Sequence, residues 1–526
     1  MLDSVTTFVR YVLDSIASGV TKLVPAKCGL IVLPPIKDPI ILLSAQQLAE
    51  KIKSGEIKCV DVVKAYKQRI EECDPLVNAV VETRYKEALE EAQTIDETIA
   101  KELATGEKNL SNLPLLGVPF AAKDCLQVKG MQLTAGFVPR KGCIQSEDAA
   151  LISNLRKLGS IPLVMTNVPE LAVWYDSANM LYGRTNNPYD LTRIPGGSSG
   201  GVAACVSYGG SPFGTGSDIA GSIRFPSHFC GLFGHLITQK AVNIDGHWPP
   251  FSTEQSECLS IGPICRYATD LTLLVKSFLG DQAEKIPKLD HPVDLSKLKI
   301  FYMEDNGGSS STPVHPEIKE GIRKLMKCLS DDYHANVTKI NIPHMDQAFD
   351  IFLNTMKDKP HIPHTQKIAN FDGHKNPWLE LVKKMVGASD HTLPVIIVSI
   401  LETCLGDPKS ESGRELIRRG EIIQEKLFSM LGDDGIFIYP AFPEPAINHY
   451  TSILKFQNIG YSSLFSLMGN PITTCPIGLS KNEHLPFGVQ VMASPFNDHL
   501  TIAVARAIEE KLGGWKPPSR VELKSN

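Results

Sequence analysis

The sequence predicts an α/β fold, because two kinds of segment alternate along it. One kind is a short apolar run without polar alternation, which is typical of a β-strand buried on both faces. The other is a longer segment with apolar residues at helical spacing. The composition suits a large globular protein, since 43% of the 526 residues are hydrophobic and 21% are charged.

Local signals predict the individual elements in order. Ser44 has the chemistry of an N-cap, so a helix is expected just after it. Pro114–Ala122 is an apolar run that predicts a buried strand ending next to Lys123. Small residues predict a helix at Gly200–Val206. The other predicted elements are helices at Leu48–Lys53, Val60–Ile70, Tyr85–Leu103 and Ala149–Leu158, and strands at Ile161–Val164, Ile436–Tyr439, Ile472–Pro476 and Phe487–Met492.

Residues 1–27 predict an amphipathic helix. Their apolar residues recur at helical spacing but are interrupted by Asp3 and Arg10, which argues against a signal peptide and against a spanning helix. The favoured interpretation is a helix lying in a membrane surface; the alternative is a helix docked on this protein or on a second subunit of a homodimer. The apolar segment that follows, Cys28–Leu43, is broken by prolines. We expect it either to line a hydrophobic entrance or to pack as an extended linker.

Charge and composition exclude several classes of function. The net charge is −5 and the chain has no block of Lys and Arg, so no nucleic-acid partner is expected. Twelve cysteines without a CxxC pair indicate reduced thiols in an intracellular protein. His361, His364 and His374 lack carboxylate or cysteine partners at defined offsets, so we expect neither a metal nor an organic cofactor.

Two glycine–serine stretches carry the strongest chemical signal. They are Gly196-Gly197-Ser198-Ser199-Gly200-Gly201 and Gly216-Ser217-Asp218-Ile219-Ala220-Gly221-Ser222-Ile223-Arg224, and the upstream lysine is Lys123. Glycine beside serine lets the backbone approach a substrate closely and turn N–H groups toward it. A nucleophile and its oxyanion site need this arrangement.

These segments resemble the signature of the amidase signature family. The resemblance implies a central, mixed, twisted sheet covered by helices on both faces, and a Ser-Ser-Lys triad. It assigns Ser222 as the nucleophile, Ser198 as the bridging serine after a cis peptide, and Lys123 as the base. The implied oxyanion donors are the backbone N–H groups of Ile219, Ala220, Gly221 and Ser222. Ser217, Asp218 and Arg224 would support the loop structurally.

Within that family the resemblance is to members that cleave fatty acid amides, and it runs from about Leu42 to Trp515. It is carried by the stretches Tyr182–Leu191, Gly432–Gly435 and Ser494–Leu500. The chain departs from the family pattern at Ser217, usually Thr, at Ala220, usually Gly, and over Gly234–Gln239.

The proposed chemistry makes a demand on Lys123, because a lysine accepts a proton only when it is neutral. Lowering its pKa from about 10.4 to about 7–8 requires ~3–4 kcal/mol of destabilisation of the charged form. Burial at the end of an apolar strand can provide this. Asp124 would oppose the shift if its carboxylate pointed inward, so we expect it to face away from Lys123.

Two other interpretations of the motifs are weaker. Gly196–Gly200 also satisfies G-x-S-x-G, which would make Ser198 the nucleophile of an α/β-hydrolase. That interpretation requires a strand directly before the loop, and Arg193-Ile194-Pro195 is a poor strand. Gly216–Ser222 lacks the lysine of a P-loop, so nucleotide binding is not expected.

The sequence therefore predicts an intracellular, membrane-associated serine hydrolase that cleaves fatty acid amides to a fatty acid plus an amine or ammonia. The alternatives are an amidase for small non-lipid amides and a weakly active lipid-binding or scaffold protein. Residues 28–526 are expected to form one amidase domain, in which the variable region 280–430 shapes the substrate channel. The expected partners are a lipid amide substrate and a membrane surface.

Overall fold

The computed structural model describes Gly19 and residues 32–523, except 107, 108, 111 and 309. The helix predicted at 1–27 lies outside the described residues. The fold is α/β, as predicted, and its centre is an 11-stranded mixed sheet.

The strands are β1 (Val80–Thr83), β2 (Pro119–Lys123), β3 (Ile161–Thr166), β4 (Ala178–Asn179), β5 (Gly183–Arg184), β6 (Phe213–Asp218), β7 (Phe233–Leu236), β8 (Ser260–Cys265), β9 (Lys299–Tyr302), β10 (Asn336–Lys339), β11 (Gly435–Pro440), β12 (Ile472–Leu479) and β13 (Pro486–Met492). The α-helices are α1 (Ala45–Lys53), α2 (Cys59–Val77), α3 (Tyr85–Thr105), α4 (Ala150–Lys157), α5 (Gly200–Ser207), α6 (Arg224–Cys230), α7 (Thr253–Ser256), α8 (Leu271–Leu279), α9 (Pro316–Asp331), α10 (Ala348–Asp358), α11 (His364–Lys367), α12 (Pro377–Met385), α13 (Leu393–Cys404), α14 (Glu411–Leu431), α15 (Gly460–Ser463) and α16 (Asp498–Leu512). Short 3₁₀ helices lie at Pro39–Leu42, Val138–Arg140, Glu170–Ala172, Ala268–Asp270, Gly280–Lys285, Leu295–Lys297, Met345–Gln347, Ser452–Ile459 and Leu464–Leu467.

The large sheet has the strand order β1-β3-β2-β6-β8-β7-β12-β13-β11-β9-β10, and β4 pairs with β5 separately. Strand β2 runs parallel to both β3 and β6, whereas β8, β7, β12 and β13 pair with antiparallel neighbours. Every residue of β2, β3, β6, β8, β11 and β13 is buried. Because successive side chains point to opposite faces, both faces of the sheet are covered at its centre.

The predicted helices and strands are present with small shifts at their ends. Ser44 caps α1 with its side chain, which accepts a hydrogen bond from the Gln47 N–H, and Gln47 completes the capping box. The prediction of a strand from Pro114 was wrong at its start, because 114–118 form turns and β2 begins at Pro119. The backbone of this segment is satisfied by tight local bonds such as Val118 N–H to the Leu115 carbonyl.

The parallel pairing of β2 with β6 creates the functional edge of the sheet. Lys123 is the last residue of β2, and Asp218 is the last residue of β6. Since the carboxyl ends of parallel strands meet at one edge, the chain brings Lys123 to the start of the second glycine–serine loop. Helix α5 begins after the first such loop and packs on β2 and β6, and α6 packs on α5. Among the helices of the described segments, none is long and apolar enough to cross a membrane.

Candidate active site

Lys123 is fully buried at the end of β2. Its backbone N–H donates a hydrogen bond to Thr215 Oγ1 on β6, 3.1 Å away. Its Nζ lies 2.8 Å from Ser198 Oγ, 2.9 Å from Ser217 Oγ and 3.0 Å from the Ser217 carbonyl oxygen. The structure therefore brings one lysine and one serine from each glycine–serine stretch into direct contact.

Burial lowers the pKa of Lys123 to about 8, although the Cys125 thiol and the Asp218 carboxylate act in the opposite direction. Asp124 is turned away from the ammonium, as expected from the sequence. Its carboxylate accepts hydrogen bonds from the Thr134 N–H at 2.8 Å and from the Gly136 N–H at 3.3 Å. A substantial fraction of Lys123 is thus neutral near pH 8.

Ser198 follows a cis peptide bond after Gly197, in the loop that leads into α5. Its side chain is nearly buried, and Ser222 lies on the wall of the same cavity. The backbone joins the two serine loops directly, because the Ser199 N–H donates to the Ser222 carbonyl at 3.2 Å. No strand precedes the Ser198 loop: β5 ends at Arg184, nine residues before the Arg193-Ile194-Pro195 segment that a nucleophile elbow would require as a strand.

A buried ion pair holds the loop that carries Ser222. The Arg224 Nη2 donates to Asp218 Oδ1 at 2.9 Å and its Nε to Asp218 Oδ2 at 3.0 Å, and both side chains are inaccessible to solvent. Asp218 also accepts hydrogen bonds from the N–H groups of Gly221 and Ile223, at 2.6 and 2.9 Å. Burial raises the pKa of Asp218, but Arg224 and these N–H groups outweigh it, so the pKa lies below its usual value.

The four N–H groups assigned by sequence as oxyanion donors differ in their availability. The Gly221 N–H is occupied by Asp218 Oδ1. The N–H groups of Ile219, Ala220 and Ser222 meet no acceptor within the described part of the chain. Gly221 has φ +122°, whereas φ of Ala220 is outside the left-handed region. The glycine that this loop needs is therefore still present, and the alanine stands at a position that any residue adopts.

The segment Gly234–Gln239, which departs from the family pattern, is largely buried and hydrogen-bonded. His235 on β7 lies between Thr473 Oγ1 at 2.8 Å and Asp498 Oδ1 at 3.1 Å. The Thr238 hydroxyl donates to Asp498 Oδ2 at 2.6 Å, and Gln239 Nε2 donates to the Cys258 carbonyl at 3.0 Å. The polar side chains of this segment therefore have hydrogen-bond partners within the fold.

Comparison with known proteins decides the family. A family model described as amidase matches residues 61–502. The chain is 40% identical to fatty-acid amide hydrolase 2-A of Danio rerio over 94% of this chain and 93% of the relative. It is 38% identical to fatty-acid amide hydrolase 2 of Homo sapiens over 92% of each chain. The chain belongs to the amidase family.

Solved structures agree with this amidase in fold. One described as fatty acid amide hydrolase superposes with a TM-score of 0.73 at 23% identity, covering 92% of this chain and 87% of that one. A bacterial aryl acylamidase of the amidase signature family superposes with a TM-score of 0.70 at 21% identity, covering 90% of this chain and 97% of that one. At these identities the likeness concerns the fold alone. The family membership and the curated relatives identify an enzyme that acts on amides.

Sequence reasoning missed one residue that contacts the site of this amidase. His247 Nε2 lies 3.0 Å from Ser217 Oγ, so the imidazole is one hydroxyl away from Lys123. Burial, together with Lys123, lowers the pKa of His247 to about 3, so this ring is neutral. A lone histidine in a loop gives no sequence signal. The structure holds it near Ser217 because His247 forms an antiparallel bridge with Leu126 and the Trp248 N–H donates to the Cys125 carbonyl at 2.8 Å, just after Lys123.

The amidase has a cavity of about 250 Å³ against Ser198 and Ser222. Its wall is largely apolar and includes helices and loops from the region 280–430 as well as the catalytic loops. The apolar side chains that line it include Leu259, Phe349, Phe352, Leu353, Met356, Val398, Leu401, Leu405, Phe456 and Ile459. The reacting serines and a small set of polar and charged side chains interrupt this wall. A largely apolar cavity with a small number of polar groups suits a ligand with an apolar body and one reacting group.

Proposed function

We propose that this amidase hydrolyses fatty acid amides through an acyl-enzyme on Ser222. The observation that carries the proposal is the contact of the buried Lys123 Nζ with Ser198 Oγ, at the end of an apolar cavity that Ser222 also lines. In this mechanism neutral Lys123 accepts the Ser198 hydroxyl proton, while Ser198 Oγ accepts the proton of Ser222. The Ser222 oxygen then attacks the amide carbonyl.

The attack moves negative charge onto the carbonyl oxygen. The N–H groups of Ile219, Ala220 and Ser222 are the donors available to it, since Asp218 occupies the Gly221 N–H. Collapse of the tetrahedral intermediate breaks the C–N bond. The proton held by Lys123 returns through Ser198 to the departing nitrogen, which leaves as a neutral amine or ammonia.

Water completes the cycle. The same lysine and serine accept a proton from water as it attacks the acyl-enzyme, and the fatty acid leaves as Ser222 recovers its hydroxyl proton. Asp218 and Arg224 take no part in proton transfer in this proposal. They hold the loop so that its N–H groups converge on the carbonyl oxygen.

A lipid acyl chain is the substrate that the cavity favours. The wall beyond the serines is lined by aromatic and branched aliphatic side chains, several of them from α10 and α13 in the region 280–430. The curated relatives carry the name fatty-acid amide hydrolase 2 over more than nine-tenths of the chain. We assign the region 280–430 the role of forming much of this acyl channel.

Two measurements test this function together. Purified protein is incubated with a fluorophosphonate probe, and hydrolysis is measured for primary amides of graded acyl chain length. We expect labelling that Ser222→Ala abolishes, and a kcat/KM that rises from short to long chains. Labelling with a preference for short amides would make this an amidase for small substrates. No labelling and no turnover would favour the scaffold interpretation.

We also propose that the enzyme works at a membrane surface. Helix α12 exposes one apolar face, in which Trp378 is 54% exposed, Val382 57% and Met385 81%, and Val386 just beyond it is 75% exposed. Lys383 and Lys384 lie beside this face. Helix α12 packs on α13, which lines the cavity, so a lipid leaving the bilayer here would be close to the acyl channel.

A further inference from the structure

One charged side chain stands out in the apolar cavity. Lys367, the last residue of α11, lines the cavity and is only 3% exposed. In the part of the chain that the structure describes, its Nζ makes no hydrogen bond and no ion pair. Its Nζ lies over the ring of Phe251, at 5.0 Å from the centroid. A buried ammonium without an acceptor is costly, so the position calls for a ligand that supplies one.

The neighbouring carboxylate does not satisfy this lysine. Glu402 Oε2 accepts the His364 N–H at 2.7 Å, and Oε1 lies 3.3 Å from His361 Nε2 and 3.2 Å from His364 Nδ1. Burial opposes ionisation of Glu402, but its bonds to His364 outweigh it and hold its pKa at about 2. Against the effect of burial, the charge of Glu402 favours the ammonium of Lys367 and raises its pKa, but the oxygens of Glu402 contact the two histidines and neither a hydrogen bond nor an ion pair joins them to Lys367 in the described part of the chain.

The second lysine on the cavity wall is already engaged. Lys357 Nζ donates to the carbonyl oxygen of Leu405. Burial lowers the pKa of the imidazole of His364, so this ring does not add a charge. Burial also lowers the pKa of Lys367, to about 8, which leaves most of it protonated at pH 7. Of the two lysines on the wall, Lys367 is therefore the one whose ammonium makes no hydrogen bond in the described part of the chain.

A chain of contacts links Lys367 to the end of the cavity where the amide is cleaved. The Phe251 ring that contacts its ammonium also packs on the imidazole of His247, with centroids 5.8 Å apart. His247 in turn contacts Ser217, which touches Lys123. This chain of contacts leads from Lys367 to the catalytic lysine. With the acyl chain assigned to the aliphatic part of the wall, the amine side of the scissile bond remains for a group held by Lys367.

We propose that Lys367 binds a carboxylate carried by the amine part of the substrate, so that the enzyme accepts N-acyl amino acids as well as neutral amides. This inference rests on the proposed amide hydrolysis and adds a substrate class to it. The carboxylate supplies the acceptor that the ammonium lacks, and the apolar wall receives the acyl chain. Glu402 also lines the cavity, and its oxygens are engaged by the two histidines.

The test compares two amides of equal acyl chain, N-acylglycine and N-acylethanolamine, which differ by a carboxylate. In Lys367→Met we expect the ratio of kcat/KM for N-acylglycine to that for N-acylethanolamine to fall by about tenfold to a hundredfold, the range of a charge-assisted hydrogen bond. Lys367→Arg should keep most of the preference. Lys357→Met is the matched control, and it should leave the ratio unchanged because that ammonium already has a partner.

An equal loss for both amides in Lys367→Met would mean a structural role and overturn the proposal. So would a loss confined to an amide with a carboxylate at the far end of its acyl chain. Binding of both ligands to Ser222→Ala, followed by calorimetry, separates this inference from the proposed function. If the wild type hydrolyses neither amide but Lys367→Met selectively weakens N-acylglycine binding, the subsite stands and the hydrolytic function fails.

Discussion

At the scale of single residues, the proposed mechanism depends on how Lys123 is kept neutral. Its ammonium has no carboxylate within ion-pair distance in the described chain, and its three contacts are a carbonyl oxygen and two hydroxyls. Hydroxyls can both donate and accept, so they serve either protonation state of the lysine. Burial then sets the balance, and it brings the pKa of Lys123 to about 8.

The first prediction concerns the pH dependence of kcat/KM, which reports groups of the free enzyme. The base must be unprotonated, so activity on a neutral amide should rise with pH and level off above the Lys123 pKa of about 8. Below that value we expect a fall of about tenfold for each pH unit. In Lys123→Met this pH-dependent rise, the acidic limb of the profile, should disappear together with most of the amide turnover.

A matched control exists for this profile. Burial also brings the pKa of Lys367 to about 8, so Lys367→Met tests whether the limb belongs to the other lysine of the site. For a neutral amide we expect the limb to remain in Lys367→Met. A wild-type profile that is flat from pH 6 to 9 would contradict the assignment of Lys123 as the base.

The second prediction concerns the two residues before the nucleophile. Ala220 does not have a left-handed φ, so Ala220→Gly should change kcat by less than about tenfold. Gly221 has φ +122°, and a Cβ there would stand 2.3 Å from the Phe225 ring. Gly221→Ala should therefore displace the donors and lower kcat by about a hundredfold or more.

Steady-state kinetics of both variants, with circular dichroism to confirm folding, checks this pair. Near wild-type kcat in Gly221→Ala would show that the loop tolerates a side chain where the geometry forbids one. A gain of several hundredfold in Ala220→Gly would mean that the natural alanine cripples the enzyme, and the scaffold interpretation would then lead.

At this scale the sequence predicted the contact of Lys123 with Ser198, and it predicted that Asp124 turns away. It did not predict that Asp218 takes up the Gly221 N–H, because hydrogen bonds within a loop depend on its turn geometry and not on residue type. The contact of His247 with Ser217 could not be predicted either, since it joins a loop residue to a strand residue 30 positions away.

At the scale of elements, β6 and α6 are joined by the buried pair Asp218–Arg224. Arg224 also donates to the Ser462 carbonyl at 2.6 Å and to Ser466 Oγ at 2.6 Å, so it ties the nucleophile loop to α15 and the turn that follows. A pair this deeply buried stabilises the fold only while both partners are present. The loop geometry and the stability of the core are therefore coupled through one guanidinium.

The third prediction follows from that coupling. Arg224→Ala leaves Asp218 buried without its counter-ion and should lower the free energy of unfolding by about 3–5 kcal/mol. The matched control is Arg418→Ala, whose pair with Glu415 lies at the surface, where the arginine is 63% exposed; its effect on stability should be small by comparison. Urea unfolding followed by fluorescence measures both.

The pH dependence has a defined sign. Because the pKa of Asp218 in the folded protein is lowered, its contribution to stability is present above the unfolded pKa of about 3.9 and is lost as pH falls through the folded value. In Arg224→Ala the carboxyl can relieve its cost by taking a proton, so the deficit should shrink toward pH 5. Equal stability of Arg224→Ala and Arg418→Ala would contradict a structural role of the pair.

Strand β6 shows why part of the sheet could not be predicted from the sequence. Its residues Phe213-Gly214-Thr215-Gly216-Ser217-Asp218 lack the β-branched run of a buried strand, so no strand was predicted there. The glycines are required by packing: a Cβ at Gly214 would lie 2.5 Å from Val202, and one at Gly216 would lie 2.7 Å from Ile223. Because other segments pack so closely on this strand, glycine stands where β-branched side chains would otherwise identify it as a strand.

At the scale of the whole molecule, the apolar cavity connects the catalytic edge of the sheet with the helices that carry the exposed apolar face of α12. The cavity begins at the serines, and its wall includes α13, on which α12 packs. The sequence predicted a membrane-associated enzyme from residues 1–27 and from its resemblance to enzymes that cleave fatty acid amides. It did not single out α12, because Trp378, Val382 and Met385 have the spacing of any amphipathic helix, and only tertiary packing decides which face stays exposed.

The last prediction separates these two candidate membrane contacts. Met385→Glu with Val386→Glu places charge on the exposed face of α12, and removing residues 1–27 deletes the predicted helix. Since each large apolar side chain contributes roughly 1.5–3 kcal/mol when buried, each change should reduce co-sedimentation with phosphatidylcholine vesicles by about tenfold or more. Ile144→Glu is the control, because Ile144 is 67% exposed but lies outside this face.

Hydrolysis of a short, water-soluble amide should persist in all three proteins. Unchanged sedimentation of a protein carrying both changes would contradict membrane association through these segments, and an insoluble truncated protein would mean that residues 1–27 pack on the enzyme itself.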